Sequence, residues 1–458
     1  MEHGHYHGPV SGAEVYDVVG IGFGPANLAL AIAMEEAAPE AGLRRLFLEA
    51  KPSYVWHPGM LLEGSMLQVT VLKDLVTVEN PRSGFTFLSY LKEKGRLYDF
   101  LNLRTLFPTR VEFNDYLGWA AEKLDRWVCY GRQVVEILPA AADGSVTAEN
   151  PELLRVMARD AASGRSLEYL TRHLVLAAGA EPVAPAGIDF RRSPRVFHSH
   201  HFLDRIRAFP DREAPYRFVV VGSGQSAGEL FEYLMDHYPN ADVTAAVRRF
   251  AYKPVDESDF TNRIFFPEWV DYYHDLPGER RRAFFADLKD VNYAAIDHPL
   301  IRRIYEKLYR QMVRGHERCR LRPFLELERV TETGSGLAVE CRDVMQGGRV
   351  ALAADALVLC TGYEWRKEHP LLDALAPWFE RDDLGGYAVK RDYAIAARGG
   401  FRPNVYLQGY CEDTHGISET VLSLLPVRAK EILTSILASR ATSREMAVGA
   451  AGVPAPLL

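Results

Sequence analysis

Two short glycine-rich segments constrain the fold of this chain more than any other feature: Gly20-Ile-Gly22-Phe-Gly24-Pro25-Ala-Asn27 and Gly222-Ser-Gly224-Gln225-Ser226-Ala-Gly228. Each lies between a short β-rich apolar run and a stretch with apolar residues at helical spacing. The first follows Tyr16-Asp-Val-Val and leads into Leu28, Ala31 and Ile32; the second follows Phe218-Val-Val-Val and leads into Ala227, Leu230, Phe231 and Leu234. The reading is strand, tight turn, helix, twice over. Glycine at such a turn permits positive φ and lets a phosphate approach the backbone, while the helix N-terminus supplies unpaired N–H groups and partial positive charge. Gly20, Gly22, Gly24, Gly222 and Gly224 are therefore expected to build two dinucleotide sites. Pro25 occupies the third glycine position of the first loop and departs from the usual fingerprint.

The strand after each loop separates the two sites. Leu46-Phe-Leu-Glu49 ends in a carboxylate suited to ribose hydroxyls, whereas Val243-Thr-Ala-Ala-Val ends in Arg248-Arg249. An arginine there can pair with a 2′-phosphate, which a carboxylate would repel. The sequence thus predicts FAD at the first loop and NADPH (bound as NADP+ after hydride loss) at the second. Two solvated surface arginines are the plainer alternative for Arg248 and Arg249.

The apolar runs His173-Leu-Val-Leu-Ala-Ala-Gly179 and Asp355-Ala-Leu-Val-Leu-Cys-Thr-Gly362-Tyr363 repeat one pattern, each after a polar alternating stretch. This suggests an α/β chain of two Rossmann-like domains, the second inserted in the first. The FAD-binding domain is expected over 14–205 and 355–440, and the NADPH-binding domain over 206–354. An aromatic-rich helical substrate-binding region is expected over 253–330, with flexible ends at 1–13 and 441–458. Its Tyr272-Tyr273, Phe284-Phe285 and Tyr305/Leu308/Met312 read first as core.

With 458 residues and a net charge of −7, the chain has length for several cores and no basic surface for nucleic acid or anionic membrane. No apolar run reaches the roughly 20 residues of a membrane span, and no signal-peptide layout opens the chain, so a cytoplasmic location is expected. The five cysteines are scattered without a CxxC pair, which disfavours disulfides, zinc and a local redox dithiol. His3, His5 and His7 read as incidental, and no metal site is expected.

Longer blocks add a resemblance that covers about residues 14–436. They are Val19–Leu28, Trp56-His57, Leu67-Gln68-Val-Thr-Val-Leu-Lys73-Asp-Leu75, Gly222–Ala227, and Lys253-Pro254 with Phe260-Thr-Asn262-Arg-Ile-Phe265. Asn292-Tyr293, Cys360-Thr-Gly362-Tyr363, and His415–Ser423 leading to Arg428 complete the set. On these residues the chain resembles the flavin-dependent N-hydroxylating monooxygenases of the L-ornithine N5-/L-lysine N6-monooxygenase family of siderophore biosynthesis.

The resemblance implies roles position by position. Asn27, Gln225, Ser226 and Gly362 fall in cofactor-contacting blocks, Trp56, His57 and Gln68 lie beside the flavin, and Arg248 holds NADPH. Lys73 binds the substrate carboxylate, and Asn262, Asn292 and Ser423 contact the substrate; Asn292, Ser423 and Gln68 stand nearest the chemistry. Taken alone, Lys73 reads as a solvated lysine paired with Asp74; the surrounding block favours the substrate role. The implied reaction uses NADPH and O2, passes through a flavin C4a-hydroperoxide, and hydroxylates a side-chain amine. That amine must be neutral to attack, which partial burial promotes. L-ornithine is the first expectation, L-lysine the second and a diamine such as putrescine or cadaverine the third, in a homo-oligomer, tetramer or dimer.

Two departures mark the substrate region. The family's Thr-Asn-Tyr-Ser reads Val291-Asn-Tyr-Ala294 here, and its Ser-Phe-Leu-Lys reads Thr70-Val-Leu-Lys73. Among competing readings, a disulfide reductase lacks its cysteine pair. A Baeyer–Villiger-type motif fails at Arg192 and Pro194 although His198, Ser199 and Phe202 echo its tail, and a non-enzymatic redox sensor shares only the fold.

Overall fold

In the computed structural model, which describes residues 14–37 and 42–451, both glycine loops sit where an apolar strand gives way to a helix. Strands β1 (Val15–Ile21), β2 (Arg45–Glu49), β3 (Val128–Tyr130), β4 (Arg132–Ala140), β5 (Leu153–Asp160) and β6 (Ser166–Leu176) form a first sheet in the order β3-β2-β1-β6-β5-β4. β1 runs parallel to β2 and β6, whereas β4, β5 and β6 form an antiparallel meander. Helix Pro25–Ala37 buries Leu28, Leu30, Ala31, Ile32 and Met34 in the core of this sheet.

The short ribbon strand β7 (Glu181–Pro182) precedes a second sheet. Here β8 (Val196–His198), β9 (Arg217–Val221), β10 (Asp242–Ala246), β11 (Cys319–Arg322) and β15 (Ala356–Leu359) lie in the order β11-β10-β9-β15-β8, all parallel. Between β11 and β15 runs an antiparallel meander of β12 (Leu325–Thr333), β13 (Gly336–Asp343) and β14 (Arg349–Ala354). β16 (Tyr363–Glu364) then pairs back on β7, and β17 (Asn404–Leu407) rejoins the first sheet beside β6. Two Rossmann-like units with the second inserted in the first follow directly from this topology.

Each repeated apolar run belongs beside its own glycine loop. β6 ends where Gly22, at φ 80°, would place a Cβ 2.5 Å from the Ala177 carbonyl oxygen; β15 ends where Gly222 would place one 2.3 Å from the Cys360 carbonyl oxygen. Only glycine allows either approach. The expected exchange points at 205 and 355 therefore shift. β8 and β15 are parallel partners in the second sheet, so the crossover lies at the β7–β16 ribbon.

The expected helical region is also shorter than 253–330. Helices Pro267–His274, Gly278–Leu288 and His298–Val313 occupy it, but from Cys319 onward the chain is strand, because Cys319–Arg322 completes the second sheet against β10. Tyr273 is buried as core, whereas Tyr305 and Met312 are exposed. Residues 1–13, with His3, His5 and His7, and 452–458 lie outside the described residues; 441–451 continue the helix Leu425–Ala451. Among the described residues no helix is long and apolar enough to cross a membrane, and no group of three or more His, Cys, Asp or Glu is placed to hold a metal ion.

Candidate functional site

At the first loop, Pro25 opens the helix, a position where its missing N–H costs nothing, so the departure from the glycine fingerprint is harmless. A Cβ on Gly20 would strike the Phe47 ring at 2.4 Å, whereas one on Gly24 would meet no protein atom within 4 Å. Gly20 and Gly22 are thus required by packing, whereas Gly24 leaves the space in front of the loop open. Glu49 at the end of β2 shapes the same place: its Oε2 accepts from the Phe23 N–H at 2.7 Å and its Oε1 from the Lys51 N–H at 2.9 Å. The Tyr54 hydroxyl beside it is buried with no hydrogen-bond partner among the described residues. An open glycine, a helix N-terminus, a carboxylate and an orphaned hydroxyl fit a dinucleotide.

Asn27 behaves differently from its expected ligand role. It is wholly buried, donating to the Gly22 and Ile21 carbonyls at 2.7 and 3.3 Å and accepting from Gln408 Nε2 at 2.9 Å. Its amide therefore braces the loop from behind. From Gln408 the chain of bonds continues to Arg428 Nε (3.3 Å), and Arg428 pairs with the Glu419 carboxylate at 2.6 Å and the Glu419 carbonyl at 2.7 Å. Glu419 also accepts from the Gly409 N–H at 2.6 Å. The His415–Arg428 block is thus a wall built onto the back of the first loop.

The second loop repeats the plan. Helix Gln225–His237 begins directly after Gly224, and Ser226 in its first turn is half-buried. The Gln225 side chain is committed to protein: it donates to Asp297 Oδ2 at 2.6 Å and Glu229 Oε1 at 3.1 Å, and accepts from the Asp297 N–H at 3.0 Å. Like Asn27, it fixes the loop rather than reaching outward. The two arginines after β10 are unequal. Arg249 is held by Asp290 through both terminal nitrogens at 3.2 Å, while the Arg248 side chain is 72% exposed with one 3.4 Å contact to Glu326. Arg248 is the one free to turn to a ligand.

The crossover carries a ring cluster. Trp56 and His57 stand 4.8 Å apart, and Tyr363, next to Gly362, packs on His57 and His198. The Gly362 carbonyl is hydrogen-bonded to His198 Nε2 at 3.1 Å, and Gly362 itself has φ 84°. His57 keeps open surface in the seam, yet the surrounding protein, with Arg110, His200 and Lys51 nearby, lowers its pKa to about 4. It is a neutral imidazole across the physiological range.

Of the four expected substrate residues, three lie on segments that meet one another. The turn Thr261–Phe265, which carries Asn262, packs on the turn Ile417–Thr420. Asn292 adjoins Tyr293, whose hydroxyl reaches Glu412 and Thr420, three residues before the buried Ser423. Lys73 is half-buried and makes no side-chain hydrogen bond or ion pair with any described residue. Pairing with Asp74 is ruled out: that carboxylate points inward and accepts from the Val76, Thr77 and Phe87 N–H groups and the Thr77 hydroxyl. Gln68 faces another space, a cavity of about 630 Å³ between the two units, lined also by Gln225, Glu229 and Asp297 but by none of Lys73, Asn262, Asn292 or Ser423.

The sequence profile of the L-lysine 6-monooxygenase/L-ornithine 5-monooxygenase family matches residues 14–365. The chain belongs to this family. An L-ornithine N(5)-monooxygenase from Burkholderia cepacia is 42% identical over 406 residues, covering 88% of this chain and 90% of the relative. The ornithine hydroxylase structure from Pseudomonas aeruginosa superposes with a TM-score of 0.87 at 37% identity, over 93% of this chain and 100% of that one. An ornithine N-hydroxylase from Kutzneria, determined with reduced FAD, NADP+ and L-ornithine, gives 0.87 at 36% identity over the same shares.

Within this monooxygenase, reading the sequence missed the residues that act through others. Gln408 directly follows the apolar strand β17, and a buried glutamine there is a signal of a brace. Glu412 stands just before the His415 block, Glu419 within it and Tyr293 beside Asn292, and only the fold joins them.

Proposed function

We propose that this chain is an NADPH- and O2-dependent flavin monooxygenase that hydroxylates the N5 amine of L-ornithine, for hydroxamate siderophores or related products. The observation that favours an amino acid over a diamine is Lys73, a cation left uncommitted among the described residues because its neighbouring acid is engaged elsewhere. A charge-assisted bond from its ammonium fits an amino-acid carboxylate and fixes the reach of the far amine. The choice of ornithine is supported by the relatives named L-ornithine N(5)-monooxygenase.

The first loop, with Gly24 open in front and Glu49 at the strand end, fits FAD; the second loop with Arg248 fits NADPH. When bound, FAD supplies O2 activation and NADPH the hydride that primes it. The chain's own work is positioning. Asn262, Asn292 and Ser423 would contact the amine, and burying it between their segments on binding would favour its neutral, nucleophilic form over the ammonium. Neutral His57 adds no competing positive charge. We take the enzyme to be a dimer or tetramer, a reading supported by Tyr305, Tyr309 and Met312 exposed along helix His298–Val313.

A hydroxylamine assay across L-ornithine, L-lysine, putrescine and cadaverine, with NADPH consumption and peroxide release followed together, tests the proposal. Hydroxylated product from ornithine with tight coupling is expected. Product from lysine instead would move the assignment within the family, and oxidation of NADPH to peroxide with every amine would overturn it.

A further inference from the structure

The helical segment that carries Asn292 crosses from the second unit to the first and docks on the wall at 412–420. The Tyr273 ring covers Gly416, where a Cβ would lie 3.3 Å from it, and His274 packs on His415 with ring centroids 5.1 Å apart. At the end nearest Asn292 the contact is polar. The Tyr293 hydroxyl donates to the Glu412 carboxylate and lies 3.1 Å from Thr420 Oγ1, and Asn292 directly precedes Tyr293 in the chain. Glu412 also faces Lys289 and Tyr273 from the helical segment and Asp413 and Glu419 from its own wall.

We propose that Glu412 is a positioning residue for the amine site: acting through Tyr293, it fixes the loop that presents Asn292 against the wall that carries Ser423. The inference rests on the ornithine-hydroxylase reading only for the identity of the substrate. An aliphatic side chain at 412 would leave the Tyr293 hydroxyl with Thr420 alone, and the loop would lose its acidic anchor.

The junction also has a proton dependence that a merely structural contact would lack. Burial holds the Glu412 carboxyl up at about 7; the Tyr293 bond opposes this, Glu419 and Asp413 add to it, and Lys289 opposes it. A folded value above that of a free carboxyl means the docked state prefers Glu412 neutral. Docking is therefore firm below the ordinary carboxyl range and weakens as pH rises through about 7, with the closed-to-open ratio falling roughly tenfold between pH 6 and pH 8.

The test compares the native enzyme with Glu412→Gln, which keeps an acceptor for Tyr293 but cannot ionise, and with Tyr293→Phe, which keeps the ring but loses the bond. Hydrogen exchange of residues 289–297, corrected for intrinsic rates, should lose about tenfold protection from pH 6 to pH 8 in the native enzyme and stay level in Glu412→Gln. The ratio of ornithine KM between Glu412→Gln and native cancels the substrate's own titration. It should fall from pH 6 to pH 8 by up to about tenfold, the limit set by the change in the closed-to-open ratio, with kcat much less affected. Tyr293→Phe should raise KM at all pH values and keep a pH step in exchange at least as large as the native one, because the bond it loses opposed the raised Glu412 value. Equal pH slopes in native and Glu412→Gln, or a Tyr293→Phe variant with the native KM, would overturn the inference. If no amine is hydroxylated, the proposed function fails by itself, and the exchange measurement still decides the role of Glu412.

Discussion

Glu419 and Arg428 form an ion pair that is 2% and 3% exposed, at the centre of the network that braces the first glycine loop. Replacing Glu419 by Gln preserves volume and an acceptor for the Gly409 N–H, but leaves the guanidinium of Arg428 buried without a counter-charge. Breaking such a pair from one side costs about 3–5 kcal/mol. Arg428→Met strands the carboxylate instead, at a similar cost. The double variant removes both charges and retains only the loss of the bonds from Arg428 to the Glu419 carbonyl and to Gln408, about 1 kcal/mol each. The two single changes therefore sum to about 6–10 kcal/mol while the double should lose about 2, a coupling of at least about 4 kcal/mol. Urea unfolding followed by tryptophan fluorescence measures all four corners of the cycle. Because Gln408 passes the strain to Asn27 and so to the Gly22 carbonyl, FAD retention should fall in the single variants and recover in the double. Additive destabilisation, or a Glu419→Gln protein within about 1 kcal/mol of native, would refute this account of the brace.

Three further outcomes follow from the site. Gly22→Ala should prevent folding of the first unit, since φ 80° and a 2.5 Å contact both oppose a side chain; Gly24→Ala should fold normally by circular dichroism and bind FAD at least about tenfold more weakly. Lys73→Ala should raise the ornithine KM about 10–100-fold, the loss of one hydrogen bond to a charged group, while any turnover of putrescine, which has no carboxylate, stays unchanged. Arg248→Ala should raise KM for NADPH about tenfold and leave NADH unaffected, whereas Arg249→Ala, which releases Asp290, should lower thermal stability without that selectivity.

The strand–turn–helix units were legible because two periodicities change at the glycines, and each loop is followed by a second strand with Glu49 or Arg248 at or just beyond its end. The domain boundaries were not. His173–Gly179 and Asp355–Tyr363 share one pattern, and pattern alone cannot say which sheet a strand pairs with; Leu357↔Val219 and Leu174↔Val19 settle it through parallel register. The helical region was overextended for a related reason. Cys319-Arg-Leu-Arg322 is too short and too charged to announce a strand, and only its pairing with β10 makes it one.

The side-chain roles divide along a different line. A motif block records every residue that a site needs, both those that touch ligand and those that hold the touching atoms in place, and it does not separate the two. Asn27 and Gln225 both stand in the first turn of the helix that follows their glycines, and both bind protein: one ties its loop to Gln408, the other to Asp297. What distinguishes a ligand-facing residue is an unmet valence. Among the described residues Lys73 has a charge with no partner and Gly24 has space with no neighbour, while a Cβ on Gly22 would collide with backbone. By that criterion Glu412 stands between the classes, since its carboxyl is bonded to Tyr293 yet buried at a cost that shows in its raised pKa. A group held in place against its own solvation is where a second observable, the pH dependence of Asn292's loop, should betray a role that contact geometry alone leaves silent.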